Sequence, residues 1–552
     1  MSRWHCGVIL LTVVCWSCSK EPGVPSGPPA IFNSTDIKLN GHSVNSSNYN
    51  IGILPVIRFS FSSALDKSTV NSAFSFTNKN GADVVYTVSY EDNDKTVVIN
   101  PSADLKYLTD YVVSVATTLQ SADGGHLNGS ANVNFTTTID SSRKFPIIPD
   151  DSLLTLVQRQ TFKYFWDFGH PVSGMARERN TSGETVTTGG TGFGIMTIPV
   201  AVNRNFITRA DGLARVQKIV TFLKNNAQHF HGAFSHWMNG TTGIVIPFAS
   251  NDDGADIVET SYLVMGLLTA RQYFNTADAA ETNLRSDIND LWDEVEWDWF
   301  RQNGKDILYW NWSPNSGWAV NVPIQGWNES LITYVLAASS NTHSIPKSVY
   351  DSGFARNGAI KNNNSYYGYT LPLGESYGGP LFFEHYSFLG IDPNGLSDAY
   401  ADYQTQTVNH TKINYEYCRA NPKQYFGYSD SCWGLTASDI ENGYTASSPT
   451  NDVSVIAPTA AISSIPYTST ESMKALKFFY YVLGDKLWGE YGFRDAFSLQ
   501  NLWFADSYLA IDEGPIIVMI ENNRTGLLWN LFTSCPEIKT GMRALSFSAP
   551  YL

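Results

Sequence analysis

The chain has 552 residues, enough for two or three domains with a large core, which excludes a mini-protein. Its 36 basic and 51 acidic residues give a net charge of −15, which repels phosphate backbones and argues against nucleic acid as a partner. Charged residues make up only 16% of the chain and aromatic residues 13%. This composition suits a neutral, hydroxyl-rich ligand, because sugar rings offer C–H faces to aromatic planes and hydroxyls to polar side chains.

The first 17 residues are typical of an export signal. Arg3 precedes an apolar run, residues 6–16, that is too short to span a bilayer. A small residue before Cys18 and a tether over residues 18–30 favour a lipoprotein signal, in a context that resembles lipoproteins of the Bacteroidetes. We therefore expect a lipid on Cys18 as the only membrane contact, at the periplasmic or surface face of the outer membrane in the cell envelope. Soluble secretion after ordinary cleavage is the alternative.

Residues 31–140 alternate between apolar and polar side chains, which predicts about seven strands. The clearest runs are 56–61, 84–88, 96–99, 111–115 and 132–135. This pattern favours a small all-β sandwich, and residues 108–115 resemble a bacterial Ig-like module. A spacer role is the main prediction, with glycan docking as the alternative. Residues 141–151, which contain two prolines and no periodicity, are predicted to be a linker.

Helical spacing dominates residues 152–552. Predicted helices cover 153–168, 213–230, 257–274, 284–297, 330–339, 457–465, 473–483 and 516–532. About 400 residues of helix pairs without a sequence repeat argue against a solenoid and favour one closed all-α toroid. The cysteines Cys418, Cys432 and Cys535 are too few for a disulfide framework, which leaves either a Cys418–Cys432 bridge or buried free thiols.

Acidic residues gather where three of these helices begin. If helical, Asp252, Asp256 and Glu259 lie at positions i, i+4 and i+7 on one face, where mutual repulsion raises carboxyl pKa values. Glu329 precedes the helix at 330, and Asp512 lies just ahead of Pro515, which suits a first helical position. Helix capping is the bland alternative for each acid. In a toroid the inner helices all begin at the same mouth. Acids at three helix starts are therefore predicted to lie close together there.

Two carboxylates flanking one bond are the requirement of glycoside hydrolysis, in which one donates a proton and the other activates water or attacks. The sequence has no serine-hydrolase elbow, phosphate loop or zinc-protease motif, and a two-carboxylate mechanism requires neither a metal nor another cofactor. The neighbouring histidines His229, His231 and His236 have no carboxylate beside them in sequence. His236 and His385 are candidate sugar contacts or lyase-type bases, with a structural role as the alternative.

Several blocks together resemble the glucoamylase-like domain of glycoside hydrolase family 144. They are residues 164–168 with 174–179, 253–260, 327–330, 377–382, 433–439 and 514–526. The resemblance implies an (α/α)6 toroid over residues 152–552 that hydrolyses β-1,2-glucan, either as an inverting endo-glucanase or by releasing sophorose. The expected partner is thus a β-glucan oligosaccharide or polysaccharide.

The resemblance also implies the roles of individual residues. Glu329 is the general acid, Asp512 or Asp256 activates water, and Glu259 and Asp252 complete the set of important acids. Family members often have Gln where this chain has Glu513, so the charge beside Asp512 differs. Inversion requires an acid and a base about 6.5 to 9.5 Å apart, unless a substrate hydroxyl relays the proton. The candidate substrate contacts are Asp252, Trp327, Trp433, His236, Trp237 and Arg177.

Two other functions fit the same features. A non-catalytic glycan-binding lipoprotein would bind sugar at aromatic residues around the mouth of the toroid without cleaving it. This function would not explain why acids stand at three helix starts. A toroid polysaccharide lyase would need a basic cleft, which this acidic chain lacks.

Overall fold

The computed structural model describes residues 30–45 and 47–552, which divide into two compact units, the first ending at Ile139 and the second comprising Asp140–Leu552. The predicted signal segment, Cys18 and the tether up to residue 29 lie outside the described residues. The region predicted as a linker belongs to the second unit, where the Lys144 amide donates to the Tyr481 carbonyl (2.7 Å). Within the described residues, no helix combines the length and apolar character needed to cross a membrane.

The first unit is the predicted β-sandwich. Its described residues form ten strands and one helix: β1 (Ile31–Phe32), β2 (Ser34–Leu39), β3 (His42–Ser43), β4 (Ile57–Phe61), α1 (Lys67–Ala73), β5 (Phe74–Asn78), β6 (Tyr86–Glu91), β7 (Thr96–Pro101), β8 (Asp110–Val115), β9 (His126–Leu127) and β10 (Ala131–Thr136). A five-stranded sheet in the order β3-β2-β4-β7-β6 and a three-stranded sheet in the order β10-β8-β5 are both antiparallel, while β1 pairs with β9 in parallel. Alternate residues such as Ile57, Phe59 and Phe61 fill the core. The short β1, β3 and β9 escaped prediction because two residues show no alternation.

The second unit is mostly helical. Its helices are α2 (Asp150–Trp166), α3 (Thr188–Asn203), α4 (Arg209–Asn225), α5 (Ile257–Tyr273), α6 (Ala279–Asp293), α7 (Leu331–Ser339), α8 (Lys347–Val349), α9 (Tyr403–Ala420), α10 (Pro458–Ser463), α11 (Ser469–Tyr481), α12 (Gly484–Leu487), α13 (Ala510–Thr525), α14 (Leu527–Thr533) and α15 (Pro536–Ala544). Short strands lie in the loops: β11 (Thr185–Thr187), β12 (His229–Phe230), β13 (Ala233–Phe234), β14 (Trp237–Asn239), β15 (Val245–Ile246), β16 (Ala255–Asp256), β17 (Asn311–Trp312), β18 (Ser365–Tyr366), β19 (Tyr369–Thr370), β20 (Ala437–Ile440), β21 (Gly443–Ala446), β22 (Trp488–Gly489), β23 (Gly492–Phe493), β24 (Phe497–Ser498) and β25 (Trp503–Phe504).

These helices form the (α/α)6 toroid, in which outer and inner elements alternate along the chain. The outer helices α2, α4, α6, α9 and α11 bury one face; in α6, Leu284, Ile288 and Leu291 recur at helical spacing. The inner ring consists of α3, α5, α7, the short turns Leu381–Glu384 and Ser387–Leu389, α10 and α13, and its helices are buried on nearly every side. The core of the unit therefore lies between the two rings.

Several details differ from the sequence prediction, which also contained neither α9 nor α15. Helix α3 was not predicted, because its four glycines and Pro199 oppose helix formation. Those glycines permit close packing, since a Cβ on Gly192 would lie 2.1 Å from the Tyr262 carbonyl of α5. The helix predicted at 516–532 begins earlier, at Ala510, and ends where Gly526 adopts φ +68°, before α14 starts. Pro515 is thus inside α13 rather than at its first position.

Candidate active site

A cavity of about 400 Å³ opens where the inner elements of the toroid begin. Thr187 caps α3, Glu259 lies in the first turn of α5, and Ile511 lies in the first turn of α13. Glu329 stands two residues before α7, and Phe382 lies in the turn of the inner ring that precedes α10. Side chains far apart in sequence therefore meet at one mouth. The rest of the wall is formed by Glu178, Arg179, His236, Trp237, Phe248, Tyr262, Trp310, Tyr386, Ala437, Tyr444 and Leu509.

Asp256 and Glu259 are held by two helix starts. Asp256 caps α5, where its Oδ1 accepts hydrogen bonds from the amides of Val258 (3.0 Å) and Glu259 (2.9 Å). The Glu259 Oε2 accepts from the Gly189 amide at the start of α3 (2.7 Å). Both positions place a carboxylate at the positive end of a helix dipole. Asp256 therefore also has the helix-capping role that was the structural alternative, and it combines this role with a place in the cluster of acids.

The interpretation of Asp252, Asp256 and Glu259 as one helical face is wrong in its geometry. Helix α5 begins at Ile257, which leaves Asp252 in the preceding loop, where its Oδ1 accepts from the Asn311 amide nitrogen (3.0 Å). Asp252 is nevertheless close to Asp256: burial, and then the charge of Asp256, raises the pKa of Asp252 to about 6. The predicted rise in carboxyl pKa therefore occurs at Asp252, because its loop packs against the helix cap Asp256.

His236 lies between two of these acids. Its Nδ1 is 3.1 Å from the Asp256 Oδ2, and its Nε2 is 4.0 Å from the Glu259 Oε1. Burial alone would lower the pKa of His236, but the charges of Glu259 and Asp256 raise it to about 9, so the ring is cationic at neutral pH. No carboxylate stands beside this histidine in sequence; its partners are the N-cap and the first turn of α5, twenty or more residues away.

Glu329 carries a carboxyl that keeps its proton near neutral pH. Burial, followed by the charges of Glu259 and Asp256, raises its pKa to about 7. The backbone at this point is clamped, because the Ser387 Oγ donates to the Glu329 carbonyl (2.5 Å) and accepts from the Ile332 amide (3.0 Å). A carboxyl of this kind can donate a proton to a ligand in the cavity.

A second group of acids lies behind the part of the wall formed by Tyr386 and Tyr444. Asp512 and Glu513 lie in the first turn of α13, and burial and neighbouring acids raise the pKa of both well above the usual range. Asp495 forms a side-chain hydrogen bond with Asp512 and also accepts from the Asp439 amide (2.7 Å). Asp512 does not line the cavity itself. It lies close to two wall residues, Tyr386 and Tyr444, whose pKa values are raised first by burial and next by its charge.

Of the six candidate substrate contacts, Asp252 does not line the cavity, whereas His236 and Trp237 do. Trp327 and Trp433 do not, which corrects the prediction for both. Trp327 is 6% exposed and its indole donates to the Glu384 Oε1 (2.8 Å), whereas Trp433 is fully buried.

Arg177 is also displaced from the predicted position. Its guanidinium donates to the carbonyls of Phe168 (2.7 Å) and Gly183 (2.8 Å) and lies over the Phe168 ring. Because side chains alternate along an extended segment, its neighbour Glu178 lines the cavity instead.

His385 and the cysteines are structural. The His385 Nε2 lies 2.9 Å from the Ser464 Oγ, and burial, then the charge of His410, lowers the His385 pKa to about 3, so the ring is neutral. Cys418, Cys432 and Cys535 are free and buried, which decides between the two alternatives left open by the sequence.

Sequence reasoning missed much of the aromatic wall and half of the second acid group. Phe248 and Trp310 stand in loops and Tyr444 in the short strand β21, and an isolated aromatic residue in such a place has no pattern that distinguishes a ligand contact from core packing. Asp495 likewise stands in a loop, away from any helix start. In total, the cavity brings a protonated carboxyl, ionised groups and aromatic rings together, an arrangement suited to acid–base chemistry on a neutral ligand.

Comparison with known proteins gives two family matches. Residues 321–536 match the family model described as "Putative glucoamylase", and residues 33–137 match the model of a bacterial Ig-like domain. The second match agrees with the sandwich predicted over residues 31–140 and found in the structure.

Three relatives extend the comparison. An exo β-1,2-glucooligosaccharide sophorohydrolase (non-reducing end) from Parabacteroides distasonis is 44% identical over 428 residues, which is 73% of this chain and 59% of that protein. This chain therefore spans less than two thirds of that relative. The solved structure of an endo-β-1,2-glucanase from Chitinophaga pinensis, in complex with sophorotriose and glucose, is 50% identical with a TM-score of 0.72, covering 74% of this chain and 100% of that one. A β-1,2-glucanase structure from Parabacteroides distasonis is 35% identical with a TM-score of 0.71, covering 95% of this chain and 74% of that one.

Proposed function

Because the chain belongs to the glucoamylase-like family that includes these glucan hydrolases, we propose that it hydrolyses the glycosidic bonds of β-1,2-glucan. The observation that carries the proposal is Glu329, a carboxyl with a pKa of about 7 in a cavity that also contains aromatic rings and other acids. Such a carboxyl is a competent general acid at neutral pH. The substrate comes from the relatives, while the acid–base chemistry comes from the cavity.

In the proposed reaction, Glu329 donates its proton to the glycosidic oxygen as the bond from that oxygen to the anomeric carbon breaks. A water molecule attacks the same carbon from the opposite face and gives up a proton to a carboxylate base, so the anomeric configuration inverts. The aromatic wall holds the sugar ring through its C–H faces, and the polar groups of His236 and Glu259, which line the cavity, hold its hydroxyls.

Asp512 suits the role of the base better than Asp256. The carboxylate of Asp256 is already occupied, with two amides on one oxygen and His236 near the other. The Asp512 Oδ2, in contrast, is a buried oxygen that accepts no hydrogen bond from the described residues. Its hydrogen-bonded partner Asp495 has a pKa of about 7, raised by burial and then by Asp439, so two adjacent carboxyls compete for protons. Because neither carboxyl lines the cavity, the ionised member of that pair accepts the proton of water through a relay such as a sugar hydroxyl.

The direct test is incubation of the protein with β-1,2-, β-1,3-, β-1,4- and α-glucans, following product length and the anomer first released. We expect cleavage of β-1,2-glucan alone, with inversion. Binding of every glucan without cleavage would instead indicate the glycan-binding lipoprotein, and a retained anomer would exclude Asp512 as the base.

The assignment of Asp512 needs its own variants. Asp512→Asn is expected to lower kcat on β-1,2-glucan by about 10³-fold, because general-base catalysis contributes about 10² to 10⁴. Asp485→Asn, at an exposed aspartate of α12, is the matched control and should leave kcat unchanged. Equal losses in both variants would contradict the assignment.

We also propose that a lipid on Cys18 anchors the chain at the cell envelope, in the outer membrane. The support is the sequence around Cys18 alone. Expression of the chain and of Cys18→Ala in a bacterium that lipidates such signals tests it: the parent chain should incorporate labelled palmitate and sediment with membranes. Equal labelling or equal sedimentation of both proteins would refute the anchor.

A further inference from the structure

The two short turns of the inner ring, Leu381–Glu384 and Ser387–Leu389, carry a buried acid among the residues that face the cavity. Phe382 and Tyr386 contribute to the cavity wall. Glu384 lies between these two residues in sequence, but it is fully buried and does not line the cavity. The proposed reaction assigns no role to this acid, so its function has to be found in its contacts.

One oxygen of Glu384 joins three side chains from two other elements. Its Oε1 accepts hydrogen bonds from the Trp327 indole (2.8 Å) and from the Gln406 side-chain amide (2.8 Å). The same oxygen lies 2.7 Å from the His410 Nδ1. Gln406 and His410 stand on the outer helix α9, whereas Trp327 stands two residues before Glu329. Glu384 therefore connects an outer helix to the segment that carries the proposed general acid.

His410 and Glu384 form a buried ion pair. The His410 Nε2 lies 3.0 Å from the Gly379 carbonyl, which can only accept, so this nitrogen carries a hydrogen. The Nδ1 faces the Glu384 oxygen that already accepts from two N–H groups, and the other oxygen, Oε2, has no hydrogen-bond partner among the described residues. The shared proton therefore belongs to Nδ1, and a cationic ring faces a carboxylate. Both side chains are fully buried. Such a pair adds little net stability, whereas its directional hydrogen bonds fix a geometry.

The segment around Glu329 is held on both sides by the two inner turns. Before Glu329, the Trp327 indole is fixed by Glu384. At Glu329 and after it, the Ser387 Oγ donates to the Glu329 carbonyl and accepts from the Ile332 amide. The backbone of the proposed acid thus lies between two anchors. One of them depends on the charge of Glu384, and the other is a neutral hydroxyl.

We infer that Glu384, paired with His410, is a positioning residue that holds Glu329 in place through the Trp327 indole. The inference rests on the proposed function, in which Glu329 protonates the glycosidic oxygen. It gives Trp327 the role of fixing the acid from behind, instead of contact with the sugar. Because a displacement of about 1 Å in a site can lower a rate about 100-fold, loss of this anchor should weaken proton donation.

Two substrates with different leaving groups test the inference with the full chain. A β-1,2-gluco-oligosaccharide releases an alcohol, which needs a proton from the acid, whereas dinitrophenyl β-sophoroside releases dinitrophenolate, which leaves without one. Glu384→Gln, which keeps the shape and removes the charge, should lower kcat on the oligosaccharide about 100-fold and leave kcat on the dinitrophenyl glycoside nearly unchanged. Glu329→Gln should show the same pattern more strongly. Equal losses on both substrates in Glu384→Gln would mean general structural damage and would overturn the inference.

Glu521→Gln is the matched control. Glu521 is also fully buried and forms an ion pair, since the Arg204 guanidinium donates to both of its oxygens (2.8 and 2.9 Å), but it does not line the cavity or contact the segment around Glu329. The ratio of kcat on the oligosaccharide to kcat on the dinitrophenyl glycoside should be the same in Glu521→Gln as in wild type. A fall in this ratio equal to that in Glu384→Gln would refute the positioning role.

The remaining outcomes separate the inference from the proposed function. A wild-type protein that does not cleave the oligosaccharide would refute both, whereas unchanged rates in Glu384→Gln would refute the inference alone. If Glu384→Gln fails to fold, Trp327→Phe, which removes the indole N–H and keeps an aromatic ring, should show the same fall in the ratio. If wild type does not accept the dinitrophenyl glycoside, the pH profile on the oligosaccharide decides. The decline above about pH 7 that Glu329 sets should then move to lower pH in Glu384→Gln, because a loosened segment admits water to the acid, and an unmoved profile would refute the inference.

Discussion

Replacing Glu329 with Gln separates the chemistry of the site from its stability. The folded protein raises the pKa of this carboxyl from 4.5 to about 7, which corresponds to about 3 kcal/mol at 1.36 kcal/mol per pKa unit. Since the carboxyl borders an open cavity, screening reduces the effect to about 1 to 3 kcal/mol. The native state binds the extra proton, so this residue lowers the free energy of unfolding as pH rises from about 4.5 to about 7. Because a Gln side chain does not ionise, Glu329→Gln removes this pH-dependent fall in the free energy of unfolding.

The variant should therefore be inactive and, at alkaline pH, more stable. We expect hydrolysis of β-1,2-glucan to fall by about 10³-fold or more, because the general acid is absent. Denaturant unfolding at pH 4 and pH 8 should show that Glu329→Gln gains about 1 to 3 kcal/mol over wild type at pH 8 relative to pH 4. Glu294→Gln, at an exposed glutamate after α6, is the control and should change neither quantity. Full activity in Glu329→Gln, or a stability difference that is the same at both pH values, would refute the reasoning.

Three other predictions follow from the same site. In wild type, kcat/KM should fall above about pH 7, where Glu329 loses its proton, and a profile flat to pH 9 would contradict its role. His236→Gln should lower the free energy of unfolding by about 3 kcal/mol below pH 6.5 and by progressively less up to about pH 9. The reason is that the raised pKa of His236 confers stability that is lost as its proton leaves. An equal loss at pH 6 and pH 9.5 would contradict the ion pair. Gly189→Ala places a Cβ 2.6 Å from the Glu259 Oε2 and should lower kcat/KM about 100-fold. The control Gly52→Ala, whose Cβ would have nothing within 4 Å, should leave kcat/KM unchanged. Equal activities of the two variants would show that Glu259 can move without loss of activity.

The parts of the fold with regular patterns were predictable from sequence. The sandwich strands alternate, and an outer helix such as α6 repeats its apolar residues at helical spacing, because each has one face in water. The prediction for α6, residues 284–297, was shifted by a few residues because capping by Asp278 and the first polar turn leave no apolar signal. Helix α3 gave no such signal, since it is buried all round and rich in glycine.

The site was predictable only in part, since two acids at helix starts and one loop histidine reach the cavity, whereas Asp256 and Asp512 at helix starts do not line it. Glu329, Glu259 and His236 reach the cavity as expected. Trp327 was misplaced because a tryptophan two residues before an acid suggests stacking on the same ligand, whereas its ring turns into the core toward Glu384. Asp495 carries no local signal, and only the tertiary fold brings it to Asp512.

The wrapping of the inner ring has a consequence for biogenesis. The cavity is lined by residues from Glu178 to Ile511, so more than half of the chain separates the first contributor from the last. A nascent chain that contains only the early helices has the residues around Glu259 but not those around Asp512. Activity should therefore emerge only near the completion of synthesis, and no truncated intermediate should be able to attack glucan on the way.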